Sequence, residues 1–196
     1  MDEKQVHEIV QRVLAQVMGK QGDPSVPAIV PTSSIPAEST KPGATPRKVV
    51  ALGADHGGFE LKEGLKATLS EMGLDVNDVG THSKAAVDYP DYAHEVAKLV
   101  SSGKAWRGIM IDGAGIGSCI VANKIPGIRA GMAYDLSSAM NSREHNDTNV
   151  LSLGAGLIGI NLARQIVKTW LSTDFGGERH LRRIEKITAV DQQYRK

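Results

Sequence analysis

The stretch from Ile109 to Lys124, IMIDGAGIGSCIVANK, sets an acid at the end of an apolar run, a glycine-rich loop directly behind it, and the chain's single cysteine a few residues on. A carboxylate at such a loop has two readings. Asp112 can take a proton as a general base, or it can accept backbone N–H groups as the N-cap of the helix that opens in the loop. Small residues in the loop let N–H groups approach an oxyanion closely. The glycines Gly113, Gly115 and Gly117 are spaced G-x-G-x-G, not G-x-G-x-x-G. They also follow a third strand rather than the first of its unit, which argues against nicotinamide or flavin. Cys119 falls inside the following helix and reads as a small buried hydrophobe. Two histidines, His56 and His145, follow strand ends in polar loops and suit ligand or acid–base work, whereas His7, His82 and His94 read as surface residues. Arg179 and Arg183 stand one helical turn apart, either a solvated basic face or a two-armed grip on phosphate.

Composition narrows the setting. The chain has 196 residues, with Lys+Arg 23 against Asp+Glu 22. That balance gives no electrostatic case for nucleic acid or an acidic membrane surface. One cysteine excludes an internal disulfide framework and a cysteine-built zinc cage, and suits a reducing cytoplasm. Even the apolar stretch VLSLGAGLIGINLA is interrupted by Gly, Ser and Asn, so no membrane span is expected. The acidic start (Asp2, Glu3, Glu8) does not match a signal peptide.

The elements that must position these residues alternate strand and helix from Arg47 onward. KVVALG, LDVNDVG, GIMID, IRAGMA and NVLSLG read as strands. FELKEGLKATLSEMG, a segment from about Tyr89 to Gly103, a helix opening in the glycine loop, DLSSAMNSREHN and IGINLARQIVKTWLS read as helices. This order predicts an α/β fold: one doubly wound, Rossmann-like domain over residues 47–196 with a five-stranded parallel sheet. Ligands are then expected at the carboxyl ends of the strands. The loops singled out are GADHGG, DGAGIGS, REHNDTN and the basic tail GGERHLRRIEK.

The N-terminal part differs. Residues 1–18 place Val6, Ile9, Val10, Val13, Leu14, Val17 and Met18 on one apolar stripe of an amphipathic helix. Residues 19–46 hold six of the eight prolines and read as an extended, flexible linker.

Taken together, GADHGGFELK, DYPDYA, the glycine loop with IVANKIPGIRA, REHNDTNVLSLG and GGERHLRRIEKI resemble the ribose-5-phosphate isomerase B family, which includes the galactose-6-phosphate isomerase subunits. The resemblance spans about Lys48 to Ala189. It implies interconversion of an aldose and a ketose phosphate by proton transfer between C1 and C2 through a cis-enediolate. It also implies a homodimer or dimer of dimers, no metal and no cofactor. Under it the backbone of Gly113, Ala114, Gly115, Ile116, Gly117 and Ser118 forms the anion hole, and His145 with Asn146 opens the sugar ring. Asp55 and Tyr89 contact substrate, and His56, Arg179 and Arg183 hold phosphate, the arginines reaching in from a neighbouring subunit. The chain departs from the family pattern at the base. Asp112 stands at the position of the usual catalytic cysteine, Ala114 at a threonine, Ser118 where a second form has glutamate, and Gly156 at an arginine. Asp112 is thus either a substitute base or the mark of an altered partner subunit, and the substitute base is the reading favoured here. Residues 1–18 resemble the encapsulation peptides that direct enzymes into bacterial microcompartments, through a shell protein or a co-packaged enzyme. The rivals are a short coiled coil for that helix and a shell-organising protein without activity for the whole chain.

Overall fold

The computed structural model describes residues 47–195. Five strands, β1 (Val49–Ala54), β2 (Asp75–Gly80), β3 (Arg107–Asp112), β4 (Ala130–Met132) and β5 (Val150–Gly154), form one parallel sheet in the order β2-β1-β3-β5-β4. The helices are α1 (Phe59–Glu71), α2 (Tyr89–Ser101), α3 (Ile116–Ala122), α4 (Leu136–Glu144), α5 (Ile160–Ser172) and α6 (Glu178–Gln193). The fold class and all five strands expected from the alternating pattern are present. The amphipathic helix of residues 1–18 and the linker of residues 19–46 lie outside the described residues.

Side-chain alternation along the strands sorts the core into two layers. Val50, Leu52, Ile109, Ile111, Leu151 and Leu153 meet Leu65 and Leu69 of α1 and Ile166, Val167 and Trp170 of α5. On the opposite face Ala51, Met110 and Val150 meet Ala93, Val96 and Ala97 of α2 and Ala122 of α3. The second face is lined by small residues because its helices come close. A Cβ on Gly108 would lie 2.6 Å from a Val96 methyl carbon. Period two also puts Met110 and Asp112 on this face with Ser152, so the acid and the glycine loop share one side of the sheet.

Two charged groups sit inside the structure with defined partners. Lys62 is fully buried, and its ammonium donates to Asp78 at 2.6 Å and Glu63 at 2.8 Å, tying α1 to β2. Arg107 lies against the rings of Trp106 and Trp170 and donates to the carbonyls of Trp170 and Leu171 at 3.0 Å, which closes the C-terminal end of α5. Burial, reinforced by the Arg143 charge, lowers the Arg107 guanidinium to about 10.

Candidate active site

Asp112 ends β3, and its carboxylate is bound by the loop it precedes. Oδ1 accepts the N–H of Ala114 at 2.8 Å and the N–H of Gly115; Oδ2 accepts the N–H of Ser118 at 3.0 Å and its hydroxyl at 2.5 Å. A carboxylate has about four lone-pair sites, and four donors fill them. The N-cap reading is corrected: Gly115 is the N-cap of α3, and Asp112 binds the loop from the end of β3. It organises the loop, and any proton it takes from carbon requires one of these bonds to open. Only the Ser118 hydroxyl can leave by rotation about a single bond; the three amides are fixed by the backbone. Gly115 is needed here because it sits at φ +79°, and a Cβ would come within 3.0 Å of the Leu153 carbonyl carbon.

Neighbouring loops complete the carboxyl edge of the sheet. Asp55 follows β1, is buried, and accepts the Gly58 N–H at 2.9 Å; its own amide donates to Ile111. His56 is exposed, with Nδ1 3.1 Å from the Val87 carbonyl and 3.2 Å from the Val87 amide nitrogen, which turns Nε2 away from the protein backbone. Tyr89 opens α2 with its ring packed on Gly117, where a Cβ would approach ring carbons to 2.5 Å. Asp55, His56, Tyr89 and residues 112–118 thus form one cluster.

His145, Asn146, Arg179 and Arg183 form a second cluster at the other edge. The sequence reading placed His145 after a strand end; it instead terminates α4. Because α4 runs back from the carboxyl end of β4, its last residues lie at the amino edge, just before β5. The same reversal brings the end of α5 and the start of α6 there, and the Gly176 amide donates to the Glu144 carbonyl at 2.8 Å. The two clusters stand apart by the length of the strands, about 17–20 Å for five or six residues.

At the amino edge His145 stacks on His180, ring centroids 4.1 Å apart. Asn141 Nδ2 donates to His145 Nδ1 at 2.9 Å, which leaves the proton of a neutral ring on Nε2. Arg179 Nε donates to His180 Nε2 at 2.9 Å, and Arg183 lies 3.4 Å from His180 Nδ1. Burial, followed by the charges of His145, Arg179 and Arg183, pushes the His180 imidazole down and keeps it an acceptor. Asp147, at φ +45°, pairs with Arg129 at 2.6 Å and Arg143 at 2.7 Å and so fixes the turn that presents His145 and Asn146. His180 was missed by the sequence reading, although it lies between the two singled-out arginines.

Cys119 is half-buried and donates its thiol to the Ala130 carbonyl at 3.5 Å. Burial raises the thiol, and the Asp112 charge adds to that. A second residue absent from the sequence reading is Tyr134, just beyond β4, whose hydroxyl donates to the Ala114 carbonyl at 2.9 Å. His82 and His94 are exposed as expected. Among the described residues no group of three His, Cys, Asp or Glu side chains could hold a metal ion, and no helix is long and apolar enough to cross a membrane.

Comparison with known proteins shows the family. Residues 50–187 match the family described as Ribose/Galactose Isomerase. Ribose-5-phosphate isomerase B of Escherichia coli is 47% identical over 146 residues, covering 74% of this chain and 98% of that protein. D-erythrulose-4-phosphate isomerase of Pectobacterium atrosepticum is 39% identical over 145 residues, 74% of this chain and 95% of that one. The solved structure of Clostridium thermocellum ribose-5-phosphate isomerase B superimposes with a TM-score of 0.74 at 46% identity, covering 75% of this chain and 99% of the other.

Proposed function

The chain belongs to the ribose/galactose isomerase family and is an isomerase of the ribose-5-phosphate isomerase type, and from that premise we propose that it interconverts ribose 5-phosphate and ribulose 5-phosphate. The observation that carries the reading is the grouping of the expected residues into two clusters: Asp55, His56, Tyr89 and the 112–118 loop at one edge, His145, Asn146, Arg179 and Arg183 at the other. Asp112 is the base. It takes the C2 proton once the Ser118 hydroxyl turns from Oδ2 toward the forming enediolate, the O2 proton passes to O1 within the cis-enediolate, and Asp112 returns its proton to C1. The N–H groups of Ala114, Gly115 and Ser118 are taken by Asp112, so the anion hole expected of the whole loop narrows to those of Gly113, Ile116 and Gly117. These serve the oxygens with His145 and Asn146, and His145 delivers the proton that opens the ring. Asp55 and Tyr89 hold hydroxyls, and His56, Arg179 and Arg183 hold the phosphate. Proton transfer by a placed carboxylate is worth roughly 10²- to 10⁴-fold.

One chain cannot bring its two clusters to one sugar phosphate, so the site is built between two copies in a homodimer, each giving its carboxyl edge to the other's amino edge. A complementation test follows. Asp112→Asn and His145→Ala chains are each inactive alone. After subunit exchange in equal amounts, half of the dimers are mixed and each mixed dimer has one wholly native site, so about a quarter of native activity returns. No recovery would overturn the shared site.

A four-carbon substrate is the second reading, favoured by the 39% identity to an erythrulose-4-phosphate isomerase and by Gly156 in place of an arginine. Residues 1–18 address the enzyme to a microcompartment shell or a co-packaged enzyme. Fused to a fluorescent reporter, residues 1–46 co-localise with shells, and Val10→Glu with Leu14→Glu disperses the signal. Identical distribution of the two fusions would contradict it.

A further inference from the structure

We propose that Tyr134 is a positioning residue for this isomerisation: its hydroxyl fixes the Ala114–Gly115 peptide plane and thereby aims the loop at the Asp112 carboxylate. The inference rests on the assignment of the 112–118 loop to the active site. In a trans peptide the carbonyl and the N–H point in opposite directions. Tyr134 donates to the Ala114 carbonyl from outside the loop at 2.9 Å, and the N–H of the same plane, that of Gly115, then faces inward to Asp112 Oδ1. The next plane is held in the same manner. Ser152 of β5, 1% exposed, donates to the Gly115 carbonyl at 2.6 Å. Two hydroxyls, one on β5 and one just beyond the neighbouring β4, therefore pin two consecutive carbonyls of a loop in which three amides converge on one acid.

The pin at Tyr134 is the one that matters for function, because the plane it holds ends on a glycine. Gly115 tolerates both signs of φ, so this plane can turn over at small steric cost. Turned over, it would withdraw the Gly115 N–H from Asp112 and point the Ala114 carbonyl at the carboxylate, which is repulsive. Tyr134 is 36% exposed, and its ring stands at the edge of the site rather than in the core. Burial, with the charges of Asp112 and Cys119, raises its phenol, so it remains a donor through the neutral and mildly alkaline range.

The test is Tyr134→Phe, which removes one oxygen and keeps the ring. The first readout needs no substrate: the Gly115 amide proton in the NMR spectrum of the intact protein. Bound to a carboxylate it resonates downfield and exchanges slowly. In Tyr134→Phe it is expected to move upfield and to exchange at least ten-fold faster. The second readout is kinetic. kcat is expected to fall about ten-fold or more with KM within two-fold, since the phosphate grip lies on other residues, and the melting temperature is expected to stay near that of the native chain. Ser152→Thr, which retains the hydroxyl, should keep the amide signature, while Ser152→Ala should weaken it. An unchanged Gly115 amide in Tyr134→Phe, or a kcat equal to native, overturns the positioning role. Absence of turnover in the native chain would instead strike the isomerase assignment, and the amide measurement would still decide whether Tyr134 orients the loop.

Discussion

Asp112→Asn separates what the acid does for the loop from what it does for the reaction. The side chain is 4% exposed and carries four donors. An amide keeps one oxygen, best placed at Oδ1 where two N–H groups converge, and puts an NH₂ at Oδ2. The Ser118 hydroxyl can turn and accept from that NH₂. The Ser118 N–H cannot, and it is left facing another donor in a buried position, at a cost of about 1–3 kcal/mol. The remaining bonds fall from charge-assisted to neutral strength, roughly another 1–2 kcal/mol together. The opposite amide orientation is worse, since two N–H groups would then face the NH₂. A loss of about 2–5 kcal/mol in a protein of this size lowers the melting temperature by about 5–15 °C. Thermal melts by circular dichroism read that loss. Turnover at a temperature where the variant is fully folded reads the chemistry, with kcat expected to fall by at least 10²-fold. A melting temperature within 2 °C of native would refute the four-donor geometry, and a kcat within ten-fold of native would refute Asp112 as the base.

Arg179→Ala and Arg183→Ala should each raise KM by about ten-fold or more with a smaller effect on kcat, because phosphate binding remote from the reacting carbons is largely uniform binding. Unchanged KM in both would remove the phosphate grip. Cys119, its thiol raised by burial and by Asp112, should react with iodoacetamide at pH 7.5 far more slowly than free cysteine, and Cys119→Ala should retain at least half of the activity. An inactive Cys119→Ala would move the base assignment away from Asp112. For Asp78, burial alone would raise the carboxyl, but hydrogen bonds from Lys62 and Lys66 outweigh it and hold it below the usual carboxylate range. A carboxyl lowered on folding contributes stability above its unfolded value, near 3.9, and loses it as pH falls through the folded value. The stability gap between native and Asp78→Asn should therefore be full at pH 5–7 and close below about pH 4. A gap independent of pH would show that the Lys62–Asp78 pair is not its source.

The sheet was legible because its signals are local. Val50, Leu52 and Ala54 alternate with smaller residues, and each strand is followed by a helix with its own apolar spacing. The carboxyl-edge cluster was legible for the same reason, since Asp55 and His56 directly follow β1 and Asp112 ends β3. His145 was misplaced because its edge depends on the direction of α4, not on its distance in sequence from a strand. The four bonds on Asp112 were beyond the sequence because they depend on the loop's path through Gly115 at positive φ and on a side-chain rotamer. Tyr134 belongs to no motif; the available signal was its place just beyond the carboxyl end of β4. His180 was hidden between two arginines whose charge drew the attention.

Proton transfer between C1 and C2 of a sugar phosphate, the reaction proposed for this chain, leaves a direct spectroscopic signature. Its most direct test is proton NMR of ribose 5-phosphate incubated in D₂O with the purified, metal-free full-length chain. Loss of the C2 proton signal with appearance of ribulose 5-phosphate is expected, and neither change with Asp112→Asn under conditions where that variant is folded. If neither ribose 5-phosphate nor any tetrose or hexose phosphate shows turnover or deuterium incorporation, the proton-transfer assignment is contradicted.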